Sequence, residues 1–344
     1  MDKNGAQTFC YSKASGVLKK AFLKENRSLL FQQKSLIELW TLLFNTEAPL
    51  IPETLLAEEI EKKALNQLIN DYQFFLNQFD VPPAFLVDQL KFFEVENLKQ
   101  MADCLNSEEK IPLEKLNIIN IGKYGNLKYS RYPDLRRVTS GTEYEWLKQA
   151  PEIHQQREME FKLDLQYIRG LWNSINEYSG EEKQWAEKLF LDEYVMKNIL
   201  WALRLSVYYN FQKEDIIQHL FYVTDAPNMA DPIAGPAIKI LRKDITDYSQ
   251  WQNVFFAKCI NPYIAGENWC VDPAWIEKRY SVEKNRRTYH LFHTCVNESV
   301  ALAAWFQLKL FELSCIRTAS ESIKLNISSQ EALEATGVRE VNNG

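Results

Sequence analysis

Glycine and proline are scarce in this 344-residue chain, at eleven and twelve residues. Sandwiches and barrels need such residues at every turn, so their shortage favours helices over a turn-rich β fold. The six cysteines, at 10, 104, 259, 270, 295 and 315, include no Cys-x-x-Cys pair. The chain opens Met1-Asp2-Lys3-Asn4 with no apolar leader, and free thiols in a reducing cytosol are expected. Positive charge is not in excess either. Forty basic residues stand against 46 acidic ones, a formal net charge of −6, and the basic residues are scattered among acids. Phosphate contacts with nucleic acid need clustered Lys and Arg, so no nucleic-acid partner is expected. The pairs Arg136-Arg137 and Arg286-Arg287 read as solvated faces or protein contacts.

Catalytic signatures are missing too. No Gly-x-Ser-x-Gly elbow occurs, and Gly122-Lys123-Tyr124-Gly125 lacks the Gly-Lys-Ser/Thr ending of a phosphate loop and reads as a turn. His290-x-x-His293-x-Cys295 is the best metal-like cluster, because His residues three apart share a helix face and a thiolate could join them. No fourth ligand follows at a recognisable spacing, so packing at a helix start is the plainer reading. The chain therefore reads as having no active site, no cofactor, no metal and no small-molecule substrate.

No long run is free of charge. The two most apolar segments, 194–211 and 294–316, contain Lys197, Asn198 and Arg204 in the first and Glu298, Lys309 and Glu312 in the second. A central charge costs about 2.5–3.5 kcal/mol on insertion, so neither segment is expected to span a bilayer. In 185–207, Leu189, Met196 and Leu203 form one stripe while Val195, Ile199 and Ala202 fill the next, the pattern of a helix buried on several sides.

What is present is a repeat in a chain that is 46% apolar and 13% aromatic, as expected of a globular protein. Phe93-Glu94-Val95-Glu96-Asn97-Leu98-Lys99 returns as Phe311-Glu312-Leu313-Ser314-Cys315-Ile316-Arg317 and, more loosely, as Tyr194-Val195-Met196-Lys197-Asn198-Ile199. The equivalent positions Asn97, Asn198 and Cys315 are 101 and 117 residues apart, the size of a small domain rather than a solenoid unit. Trp40, Trp146 and Trp251 precede these positions by 57, 52 and 64 residues. Asparagine is unfavourable inside a helix, so Asn97 and Asn198 are expected to bond a neighbouring backbone and fix how a helical hairpin packs.

The periodicity and breakers predict helices over 11–30, 35–44, 53–79 and from Pro83 to about Leu105, then a connector over 106–141 with one short helix near 112–116. Helices follow over 155–178 and 181–209, a loop over 224–236, helices over 247–259, 273–288 and 293–324, and a mobile tail over 328–344. The expected organisation is three similar helical-hairpin domains, 1–106, 107–215 and 216–327.

Tyr11-Ser12-Lys13-Ala14, Ser35-Leu36-Ile37-Glu38-Leu39, the run from Phe92 to Lys99, Asn198-Ile199 with Ala202-Leu203-Arg204, and the run from Glu312 to Arg317 occur in that order along nearly the whole chain. In this they resemble the C-type subunit of the V-type (A/V-type) rotary ATPases, a family related to the d-type subunit of the eukaryotic V-ATPase. Cys315 departs from the Asn usual in the third repeat. The resemblance implies an all-α funnel with pseudo-threefold symmetry on the cytoplasmic face of the membrane. It also implies a non-catalytic part of the central rotor that joins the central-stalk subunits to the proteolipid ring and transmits torque for ATP-linked ion or proton transport. An all-helical scaffold of an unrelated complex and a metal-dependent helical enzyme are the competing readings.

Overall fold

A computed structural model describes residues 3–107, 111–295 and 297–337. It is all-helical, 68% helix, with no strand among the described residues. In chain order the α-helices are α1 (Lys3–Lys20), α2 (Ser28–Phe31), α3 (Leu36–Phe44), α4 (Glu53–Leu76), α5 (Ala84–Asn106), α6 (Leu135–Val138) and α7 (Gln156–Asn176). They continue with α8 (Gly180–Tyr209), α9 (Lys213–Gln218), α10 (Ala234–Ile240), α11 (Pro273–Thr294), α12 (Glu298–Lys324) and α13 (Ser329–Ala335).

The long helices fall close to where the apolar period puts them, and their ends have local causes. Asp272 accepts from the backbone N–H groups of Ala274 and Trp275, with Pro273 at the first helical position, and Asn297 accepts from Val300 N. Asn45, Asn210 and Asn326, each at φ +51°, follow the ends of α3, α8 and α12. A left-handed residue of this kind lets the backbone leave the helix at low cost for Asn.

Several segments differ from the expected elements. The helix expected over 11–30 ends at Lys20, because Leu23 is extended and Lys24 is left-handed at φ +48°, neither of which continues a helix. In 247–259 there are only two 3₁₀ turns, Tyr248–Trp251 and Ala257–Cys259; the Asp247 carboxylate bonds Ser249 N and Ser249 Oγ, a local alternative to helical pairing. The expected loop over 224–236 yields to α10 from Ala234. The tail expected to be mobile from Ser328 contains α13, started by a capping box between Ser328 and Glu331 and anchored by buried Ala332 and Leu333. Residues 338–344 of that tail lie outside the described residues.

The chain forms two compact units. In the unit of residues 1–7 and 69–183, α5 packs on α7, and Val95, Leu98 and Met101 join Leu127, Val138, Tyr144 and Leu163 in one core. Lys99 Nζ bonds Asp164 Oδ1 across that helix pair at 2.6 Å. In the unit of residues 8–68 and 184–344, α11 packs on α12, and a core of Leu36, Leu39, Ile60, Cys315, Ile316 and Ala319 extends under α13 through Leu333. Glu193 with Lys284, and Asp192 with Arg287 at 3.0 Å, tie α8 to α11.

Among the described residues α12 is the one helix long and apolar enough to cross a membrane, and 72% of its apolar window is buried inside the protein. Protein side chains already cover most of the surface that lipid would need.

Candidate functional site

Helices α5, α8 and α12 each hold an irregular segment of chain in place through buried polar groups. On α5, Asn97 Nδ2 donates to Ile119 O at 2.8 Å while its Oδ1 accepts from Ile119 N at 2.9 Å, and the same nitrogen lies 2.8 Å from Tyr129 Oη. On α8, Asn198 Nδ2 donates to Phe221 O at 2.8 Å while its Oδ1 accepts from Phe221 N at 2.8 Å, with a further bond to Ile233 O at 3.0 Å. Each amide thus mimics a strand edge toward one residue of the following connector. Both side chains are almost fully buried, so water offers the connector no comparable partner.

On α12 the chemistry is redistributed. Burial first of all pushes the Cys315 thiol up to about 12 against the nearby Arg27 guanidinium, which lowers it, so the thiol stays protonated. The backbone contact is made one turn earlier, where Glu312 Oε1 accepts from Phe22 N at 2.7 Å.

Glu94 occupies the matching position on α5, three residues before Asn97. Its Oε1 accepts from Asn126 N at 2.6 Å and Leu127 N at 3.0 Å, while Oε2 has no hydrogen-bond partner. Burial raises its pKa and prevails over those two bonds and the nearby Lys91 charge, which lower it. A carboxyl with a raised folded pKa contributes stability below the ordinary carboxylate pKa and loses it as pH rises through the folded value. Glu94→Gln keeps an acceptor for Asn126 and Leu127 without the buried charge. Its stability relative to the parent chain should therefore improve in urea unfolding as pH rises above the ordinary carboxylate pKa and level off beyond the folded value; a difference independent of pH would show that Glu94 is not the group responsible.

A further carboxylate completes the connector after α8. Asp231 Oδ2 accepts from Val223 N, Thr224 N and Thr224 Oγ1, and Oδ1 accepts from Ile233 N and Ala234 N, all at 2.8–2.9 Å. Burial would raise the Asp231 pKa, but the bonds from Ala234, Thr224 and Val223 together hold it below the usual carboxylate value. The turn it closes is tight. A Cβ on Gly235 would lie 2.6 Å from Met229 O, so no other residue fits there without moving backbone.

Trp40, Trp146 and Trp251 precede α4, α7 and α11 in the chain. The Trp40 indole donates to Thr46 Oγ1 and lies under Lys63 of α4, whose Nζ is 4.2 Å from the ring centroid. The Trp146 indole donates to Gln166 Oε1 and lies under Lys162 of α7, at 3.9 Å. Trp251 is fully buried and donates to Asp244 O.

His290, His293 and Cys295 do not converge. Both histidines are exposed, the Cys295 thiol is buried and donates to Asn297 O, and no group of three or more metal-binding side chains occurs among the described residues. Gly122–Tyr124 is a 3₁₀ turn.

Glu94, Glu312 and Asp231 escaped the reading of the sequence. For the first two a signal existed, since Phe93-Glu94 and Phe311-Glu312 align in the repeated run.

A family profile described as the ATP synthase (C/AC39) subunit matches residues 13–335. An uncharacterized protein of Treponema pallidum (strain Nichols) is 21% identical over 327 residues, 94% of each chain. With nearly its whole length matched, the chain belongs to the C/AC39 family of V-type ATPase subunits, whose members are parts of V/A-type ATPases.

Proposed function

We propose that this protein is a non-catalytic adaptor of the central rotor, coupling the central stalk to the membrane proteolipid ring on its cytoplasmic face and passing torque between them. The observation that carries the reading is a repeated connection. Helix α5 holds the connector that leads to α7, through Asn97 and Glu94, and Lys99 reaches Asp164, the ninth residue of α7. Helix α12 does the same for the segment that leads to α4, through Glu312, and Arg317 reaches Glu61, the ninth residue of α4, at 2.7 Å. The last hairpin is thereby bound to the start of the first. Such cyclic order supports three domains, near 1–106, 107–215 and 216–327, closed into a funnel with pseudo-threefold symmetry, an arrangement able to bear torque because close-packed interiors deform little.

Exposed apolar side chains recur at one topological position. The turns before α4, α7 and α11 carry Leu50, Ile153, and Tyr263 with Ile264, all solvent-exposed and each close to a proline. These are surfaces for partner subunits in the proposed complex.

Affinity purification from native membranes, followed by mass spectrometry, should recover this chain with an ATPase head subunit and a proteolipid, and alkaline carbonate should release it. The triple variant Leu50→Asp, Ile153→Asp, Tyr263→Asp should melt normally yet lose most of that recovery. Recovery with an unrelated set of proteins would indicate a helical scaffold of another complex. Resistance to carbonate would overturn the peripheral reading.

A further inference from the structure

A cavity of about 600 Å³ opens among the turn after α1, the start of α8 and the second half of α11. Its size is in the usual range for a small-molecule site. In an acidic protein its lining has the opposite sign, with Lys24, Lys188, Arg286 and Arg287 contributed by three separate elements and His290 and His293 beside them. The one carboxylate in the lining, Asp192, is committed to Arg287 at 3.0 Å. Arg286 is paired with Glu283 at 2.9 Å.

The two lysines are the unusual members. Lys24 Nζ lies 3.3 Å from the centroid of the Tyr289 ring, and Lys188 Nζ lies 5.1 Å from that of Trp185. Neither has a carboxylate within ion-pair distance among the described residues. Aromatic faces orient an ammonium group but leave its charge uncompensated. His293 registers the resulting field. Burial, then the charges of Lys24 and His290, push its pKa below the usual histidine value.

We infer that this cavity is a binding site for a small soluble anion carrying two or more phosphoryl groups. Cations from three elements placed around one cavity match several linked oxyanions better than a single carboxylate, and Lys and Arg are the side chains suited to phosphate oxygens. Free inorganic polyphosphate and the polyphosphate tail of a nucleotide share this chemistry. Binding requires no catalysis.

Isothermal titration of the full-length chain with inorganic tripolyphosphate at low salt tests the assignment. Saturable one-to-one binding is expected, weakened roughly five- to tenfold by Lys24→Gln and again by Lys188→Gln, as loss of one screened charge contact each. Lys213→Gln, on α9 outside the cavity, should leave it unchanged. A parallel titration with ATP identifies the source: tighter binding than tripolyphosphate marks a nucleotide, equal or weaker binding marks the phosphate chain alone. Absence of saturable binding to either probe, or equal weakening by Lys213→Gln, would overturn the proposal.

Discussion

Asn198→Leu should lower the unfolding free energy by about 3–5 kcal/mol, because it strips three hydrogen bonds from a buried junction and puts no polar group in their place. Phe221 loses both of its backbone bonds to the amide, and Ile233 loses one. Leucine has as many side-chain heavy atoms as asparagine, so most of the deficit is polar, and crowding by its bulkier methyl groups adds to it. Urea unfolding measures it directly. The informative contrast is Cys315→Asn, placed at the corresponding position on α12. There Arg27 is buried near Cys315 and has an Nε without an acceptor. An amide oxygen can accept from that guanidinium, so this substitution should cost no more than about 1–1.5 kcal/mol. A severe loss for Cys315→Asn beside a neutral Asn198→Leu would mean that α8 and α12 do not hold their connectors in equivalent ways, and the cyclic arrangement would lose its main support.

Asp231→Ala is expected to be comparably damaging, by about 3–5 kcal/mol, since four backbone N–H groups and one hydroxyl converge on a single carboxylate. Asp231→Asn separates charge from shape. One amide oxygen can replace one carboxylate oxygen, but the amide nitrogen then faces donors, so an intermediate loss is expected. The folded pKa of Asp231 lies below its unfolded value, so its contribution is present above the unfolded carboxylate pKa and disappears as pH falls through the folded one. Between about pH 7 and about pH 3, the difference between Asp231→Asn and the parent chain should therefore shrink. Glu94→Gln should show the opposite sign of pH dependence. Two carboxylates in similar roles thus have opposite linkage, because five donors satisfy one and the other keeps a buried oxygen without a partner.

The long helices were legible because an amphipathic helix repeats its apolar residues every three to four positions whatever it packs against. Asn97 and Asn198 were legible as structural residues for a related reason: a polar amide in the middle of an otherwise apolar helix needs a partner. The identity of that partner was hidden. Ile119 and Phe221 are engaged through backbone groups that every residue possesses, so their side chains carry no sign of the contact. Glu94 and Glu312 were present in the repeated run but looked like any charged residue on a helix, since burial of one face depends on what another segment brings to it.

Short elements failed for the same reason. Helix α13 has only Ala332 and Leu333 buried, too few for a period, and is held by packing against α2 and α12. The cationic cavity depends on Lys24, Lys188 and Arg286, more than 160 residues apart at the first step and nearly 100 at the second, with no local pattern to join them. By itself, the sequence determined the helical class, the long helices, the recurring motif and the family, all of which reside in local periodicity and ordered short motifs. Tertiary structure alone decided which connector each polar residue holds, which carboxylates are buried, and where cations gather, because desolvation and hydrogen bonding act on groups brought together in space and are indifferent to their separation along the chain.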